Sequence, residues 1–219
     1  DVRWWATDSA VAGCAEKSTP EAVAYACERL GVILGAYTVY TDLWLCDLNG
    51  RVIANGRPDR FKVAGADVSS RGWFGRGRSL RSGDDYVADE ISREPLLGNG
   101  QVATYLASVR EGGRSNGRPI GMLAVHFDWE PQAKAIVDGV RLTSQERERS
   151  RVMLVSGNGR VLASSDGKGV LSEQFQLQTG GQEHGFYVDR DGATVAFHRT
   201  PGYETYAGLG WYGVIRQKL

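Results

Sequence analysis

The 219-residue sequence predicts an α+β protein, with an N-terminal helical stalk followed by two modules, each a roughly five-stranded antiparallel sheet with flanking helices. Two observations carry this expectation. The hexapeptides Asn49-Gly50-Arg51-Val52-Ile53-Ala54 and Asn158-Gly159-Arg160-Val161-Leu162-Ala163 differ at a single aliphatic position and stand half a chain apart. Each follows one apolar run and opens another, and Asn-Gly between β-rich runs marks a hairpin. Any two hairpins with I′ turns would share Asn-Gly, because positive φ at both central positions selects it. The shared Arg-Val-(Ile/Leu)-Ala beyond the turn points instead to internal duplication. The second observation is order: after each hairpin come an irregular or helical middle and then two or three alternating strands.

The elements follow in turn. Residues 3–16 have helical composition, and Thr19-Pro20-Glu21 supplies a cap, a first-turn proline and an acid for the helix dipole, opening a helix from Pro20 to about Gly35. Tyr37 to Tyr40 leads into the first hairpin, strands 42–48 and 51–55. A polar stretch with Pro58, Gly65 and Asp67 precedes a short, glycine-weakened helix over 69–77. Strands are expected at 86–88, 102–110 and 120–129, the last two joined by the turn 112–119. A helix from Pro131 to Leu142, which the charged stretch 145–150 would extend, carries the module boundary. The second half holds hairpin 152–155 and 160–165, strand 185–189, turn 189–192, strand 193–199, a turn at Thr200 to Tyr206 and a final strand 209–216. The expected divisions are therefore 1–36 for the stalk, 37–142 for a first module and 143–219 for a second. This order is PAS-like.

Composition narrows the function. Twenty-six basic residues balance 26 acidic ones, removing the electrostatic attraction that a nucleic-acid binder needs. No run of about 18 apolar residues or signal peptide occurs. The opening at Asp1 and the strand-like end from Trp211 to Arg216 suggest a piece cut from a longer protein. Three cysteines form no CxxC pair. Cys14 and Cys27 bracket a helix start and would suit a bridge, but Cys27 also falls on the apolar stripe Val23, Cys27, Leu30, Leu34. Cys46 sits on an apolar strand, where a free thiol behaves as a small hydrophobe.

No nucleophile elbow, Walker loop or dinucleotide fingerprint is present, so no catalytic residue, cofactor or enzymatic activity is expected. His126, His184 and His198 lack metal-ligand spacing; His126 and Asp128 offer two ligands on one strand face, too few to hold an ion. The sharpest local feature is Ser70-Arg71-Gly72-Trp73-Phe74. One reading makes Arg71 a bidentate donor beside an aromatic wall, suited to a small carboxylate. The other packs Trp73 and Phe74 onto the sheet and leaves Arg71 in solvent. Period-2 alternation places Met122, Ala124, His126 and Asp128 on one strand face, and Leu123, Val125, Phe127 and Trp129 on the other. The acidic stretch Asp84 to Glu90 would receive a cationic group or remain a charged loop; Asp84, Asp85, Asp89 and Glu90 as hydrolytic acid and base are the enzymatic alternative.

The helical lead, Trp44 to Ala54, Arg71-Gly72-Trp73-Phe74, Asp85 to Asp89, and Gly117 to Leu123, in that order, resemble the double Cache (dCache) sensor domains over essentially the whole chain. The resemblance implies the extracytoplasmic sensor of a transmembrane receptor, foremost a methyl-accepting chemotaxis protein, otherwise a histidine kinase or diguanylate cyclase. It implies a periplasmic setting, flanking transmembrane helices, a homodimer in the full protein and a small metabolite bound in the membrane-distal module. It assigns Arg71 and Trp73 to an anionic ligand group, with Phe74 and Tyr86 lining the pocket. Amino-acid-sensing members hold the ligand's amine with a last-strand aspartate, where this sequence has His126, with Asp128 two residues on. That departure raises organic acids or purine-like heterocycles relative to amino acids and amines as ligands. Asp89 completes the candidate set, and a ligand-free structural or dimerisation module is the reading from another class.

Overall fold

A computed structural model describes residues 1–202 and 206–218. It divides into two units, 1–129 and 130–219, where the sequence placed its boundary near Leu142. The helix expected to close the first module falls with the second sheet.

The helical lead is three helices: α1 (Val2–Trp5), α2 (Ser9–Glu16) and α3 (Pro20–Ala36). The helix read over 3–16 is broken because Asp8 turns its carboxylate onto Ala10 N, starting α2 afresh, while Thr19 caps α3 through Ala22 N. The helices do not stand apart as a stalk. Val11, Cys14, Leu30 and Leu34 share a core with Leu43, Leu45, Val109, Leu123 and Val125 of the first sheet. Cys14, Cys27 and Cys46 are all free thiols, so the considered bridge is absent. Burial, with Cys27 beside it, pushes the Cys14 thiol up to about 11.

The first sheet comprises β1 (Tyr40–Cys46), β2 (Val52–Asn55), β3 (Val87–Ala88), β4 (Ser92–Glu94), β5 (Gly100–Arg110) and β6 (Pro119–Asp128). Their order is β2-β1-β6-β5-β3, with β4 also on β5. The strand β4 was not foreseen. Helix α4 (Gly72–Gly77) covers the face opposite α1–α3, over a second core containing Trp44, Trp73, Phe74, Leu106 and Met122.

In the second unit, α5 (Trp129–Asp138) and α6 (Ser144–Arg149) are separate helices rather than one extended helix. Thr143 and Glu146 form a reciprocal capping box that restarts the chain as α6. The sheet runs β8 (Val161–Ser164), β7 (Ser150–Val155), β11 (Tyr212–Gln217), β10 (Thr194–Arg199) and β9 (His184–Val188), all antiparallel. Met153, Val155, Val161, Val195, Phe197 and Val214 form its core. Part of the turn expected over 200–206 lies outside the described residues.

The duplication extends beyond sequence. In both sheets the hairpin strands lie second-then-first beside the last strand, followed by the penultimate one. Both turns close alike: Gly50 N donates to Asp47 O and Arg51 N to Asp47 Oδ1, while Gly159 N donates to Ser156 O and Arg160 N to Ser156 Oγ. They are not I′ turns, because among their residues only Gly50 (φ 90°) and Gly159 (φ 91°) take positive φ. In each copy the following segment returns to the turn, with Val68 N on Gly50 O and Phe175 N on Gly159 O. A Cβ at Gly50 would stand 2.7 Å from the Ser69 backbone, and one at Gly159 2.8 Å from Phe175 O. Gly50→Ala and Gly159→Ala are therefore each expected to cost about 1–3 kcal/mol. Gly13→Ala, in a helix with open space around it, gains roughly 0.5–1 kcal/mol. Urea unfolding of the three variants checks the contrast.

Candidate functional site

The site is built on the α4 face of the first sheet. Gly77 lets α4 lie against β5, since a Cβ there would come within 1.9 Å of Leu106 Cδ2. That seating buries Trp73 and Phe74 and sets Arg71 at the head of the helix. Arg71 Nη2 donates to Glu94 Oε1 at 2.9 Å, and the same oxygen accepts from Leu96 N. The Glu94 side chain is 5% exposed and that of Arg71 34%, so the arginine bridges solvent and interior.

His126 lies completely buried between strands. Its Nδ1 is 3.1 Å from Thr104 Oγ1, its cross-strand partner on β5. The Trp44 ring packs 4.0 Å away, centroid to centroid, and Trp73 approaches edge-on at 6.0 Å. Burial first, then the neighbouring Arg71 charge, pushes the imidazole down to about 3, so it is neutral at any physiological pH. Two buried polar atoms at this place have no protein partner: His126 Nε2 and Arg71 Nε. Buried polar atoms are nearly always satisfied, so these two groups stand out from their surroundings.

Trp44 is itself held by Asp42. The buried Asp42 carboxylate accepts Leu43 N and Arg57 N on Oδ1 and Trp44 Nε1 and Asn55 Nδ2 on Oδ2. Burial pushes its pKa up, while these four donors pull it down.

Of the expected residues, Arg71, Trp73 and His126 come together. Phe74 is buried beside them, its ring 6.1 Å from Trp73, as packing. Asp89 pairs with Arg76 at 2.6 Å, so the cation received by the acidic stretch is the protein's own. Asp128 ends β6, opposite Val102 and two residues beyond His126. Tyr86 is a correction: it packs into the α1–α3 core with Arg3 over its ring, because Val87 points into the α4 core and strand alternation turns Tyr86 the other way. Asp85 accepts Arg81 N and Ser82 N, and Asp84 accepts Ser82 Oγ; both carboxylates serve their loop. The sequence reading missed Trp44, Thr104 and Glu94. Thr104 enters only through its register with His126, a pairing 22 residues apart. Glu94 had one local signal, an acid immediately before Pro95 that caps a 3-10 turn through Leu96 N.

A fold of two PAS-like sheets is similar to that of solved extracellular sensor domains of chemoreceptors, histidine kinases and GGDEF proteins. The likeness covers nearly the whole chain. An extracellular ligand-binding receptor from Desulfohalobium retbaense matches with TM-score 0.69 at 13% identity over 99% of this chain and 37% of its own, so this chain spans about a third of that receptor. The sensor domain of the V. cholerae histidine kinase DctB matches with TM-score 0.65 at 13% identity, over 100% of this chain and 88% of its own. The ligand-binding domain of the Pseudomonas fluorescens chemoreceptor CtaA, in complex with L-alanine, matches with TM-score 0.62 at 17% identity, over 97% and 86%. No protein-family model and no curated protein matches the sequence. The resemblance to double Cache domains holds at the level of fold.

Proposed function

We propose that the chain is the extracytoplasmic, periplasmic ligand-sensing part of a transmembrane receptor, with no catalytic activity of its own. The observation that carries the reading is the pair of unpartnered buried atoms, His126 Nε2, on a ring packed by Trp44 and Trp73, and Arg71 Nε. The fold likeness supports it. Unit 1–129 would be the membrane-distal, ligand-binding module and the second unit the proximal one. No helix among the described residues is long and apolar enough to cross a membrane; flanking helices outside this sequence would anchor a full-length homodimer. A chemotaxis receptor is the first choice of output, and a histidine kinase or cyclase the second.

The ligand class follows from charge. The two open groups are a guanidinium and a neutral imidazole, so an acceptor on the ligand meets Arg71 and either a donor or an acceptor meets His126. An ammonium would lie beside the Arg71 guanidinium, and Glu94 is already engaged by that arginine. A small carboxylate or a neutral heterocycle therefore fits better than an amine, although the chemoreceptor CtaA was crystallised with L-alanine. Binding would signal through differential affinity for two arrangements of the receptor.

One observation favours the second reading, a ligand-free structural module: Glu94 already satisfies part of Arg71, and Trp73 is packed. A thermal-shift screen against carboxylates, purines, amino acids and amines decides between them. A ligand at about 100 times its Kd should raise the midpoint by about 5–11 °C at this size, and Arg71→Ala should abolish the rise. Because that variant strips Glu94 of its partner, Arg71→Ala/Glu94→Gln is run beside it. No shift with any class would sink the sensor reading.

A further inference from the structure

Arg110, the last residue of β5, is a buried arginine that meets no carboxylate. It is 6% exposed. Its Nε donates to Ser108 Oγ at 2.9 Å, Nη1 to Gly117 O at 2.9 Å and Nη2 to Leu80 O at 3.0 Å. These are neutral acceptors, and they use three of the five N–H groups that a guanidinium carries. Among the described residues no carboxylate lies within ion-pair distance of it. Other partly buried arginines do meet carboxylates: Arg71 meets Glu94, Arg151 meets Asp166 and Glu173, and Arg216 meets Asp189 and Asp191. A guanidinium cannot shed its proton to escape burial, so an unpaired one calls for an external counter-ion.

Arg110 borders a cavity of about 310 Å³, and Arg3, Arg114 and Trp4 line it too. Asp84 is the one acid on its wall, leaving an excess of two positive charges among the lining side chains. Arg3 Nη1 is held by Asp84 O at 3.0 Å. The far wall is firm: Gly112 and Gly113 turn at φ 63° and 65°, and a Cβ at Gly113 would stand 2.9 Å from Thr7 O.

We propose that this cavity is a second binding site, for a small oxyanion of the carboxylate or phosphate type. Arg110 is its fixed donor, Arg3 and Arg114 balance the remaining charge, and Trp4 forms an apolar wall. The site is separate from that of Arg71. Thr104 and Arg110 are six positions apart on β5, roughly 20 Å at strand rise, and α4 is seated over Leu106 between them.

The test follows the unfolding midpoint in inorganic phosphate and in succinate, at ionic strength held constant with sodium chloride. Wild type, Arg3→Gln/Arg114→Gln and Arg71→Ala are compared. The first variant touches side chains without ion pairs, and Arg110 stays in place as the brace between Leu80 and Gly117. A saturating anion should raise the midpoint by about 5–11 °C in wild type and in Arg71→Ala, and by less than a third of that in the double variant; the stronger anion names the class. No rise with either anion in wild type overturns the proposal. So does a rise that the double variant keeps, or one that Arg71→Ala abolishes, which would move the anion to the first site.

Discussion

Acidification is expected to destabilise the first unit through one residue, His126. Its imidazole is fully buried, held only by Thr104 at Nδ1 and pushed down to about 3 by burial and then by Arg71. In the unfolded chain a histidine titrates near 6.5. Between those values the unfolded state binds a proton that the folded state refuses, so stability rises with pH across that window and falls as pH drops through it. The slope is about 1.4 kcal/mol per pH unit. At pH 5 the loss from this group alone is about 2 kcal/mol, or roughly 4–8 °C in midpoint. His126→Gln removes the titrating group while keeping a polar side chain. Urea unfolding at pH 7 and pH 5 should show a smaller acid loss in the variant, by about those 2 kcal/mol. Equal losses in the two proteins would mean that the imidazole is not the acid-sensitive group. The same neutral state matters for recognition, since His126 offers hydrogen bonds without charge throughout the physiological range.

Asp42→Asn is expected to cost more than its one-atom change suggests. Both carboxylate oxygens accept two N–H donors each. An asparagine in either flip points its NH₂ at two of those donors and leaves them unpaired. Each buried unsatisfied group costs about 1–3 kcal/mol, so the expected loss is about 2–6 kcal/mol. Calorimetry should find the first unit melting roughly 5–20 °C lower. A midpoint within 1–2 °C of wild type would contradict this account of the network. A functional consequence follows from the same contacts. Trp44 Nε1 loses its acceptor in one of the two flips, and the indole that packs on His126 loses its anchor. Ligand affinity should then fall even where the fold survives.

Much of the chain was legible because it depends on neighbours a few residues away. Thr19 with Pro20 announced α3, and Asn-Gly announced both hairpins, since caps and turns are satisfied locally. The turns themselves are not of the I′ type, because Asp47 and Ser156 close longer turns with their own side chains, leaving positive φ to the glycine alone. Alternation along β6 correctly separated Met122, Ala124 and His126 from Leu123 and Val125. The strand β4 escaped because three residues carry no periodicity.

By itself the sequence determined the α+β class and the twofold repeat of the sheet plan, and it singled out Arg71, Trp73 and His126 as candidates, because propensity, pattern and repetition are written in consecutive residues. Only the tertiary structure decided which groups these residues meet. It turned Tyr86 to the helical side, brought Glu94 to Arg71 and Thr104 to His126, and left Arg110 buried with no carboxylate beside it among the described residues. The physical reason is register. Strand pairing joins residues tens of positions apart, and it is set by the burial of whole faces rather than by any local preference.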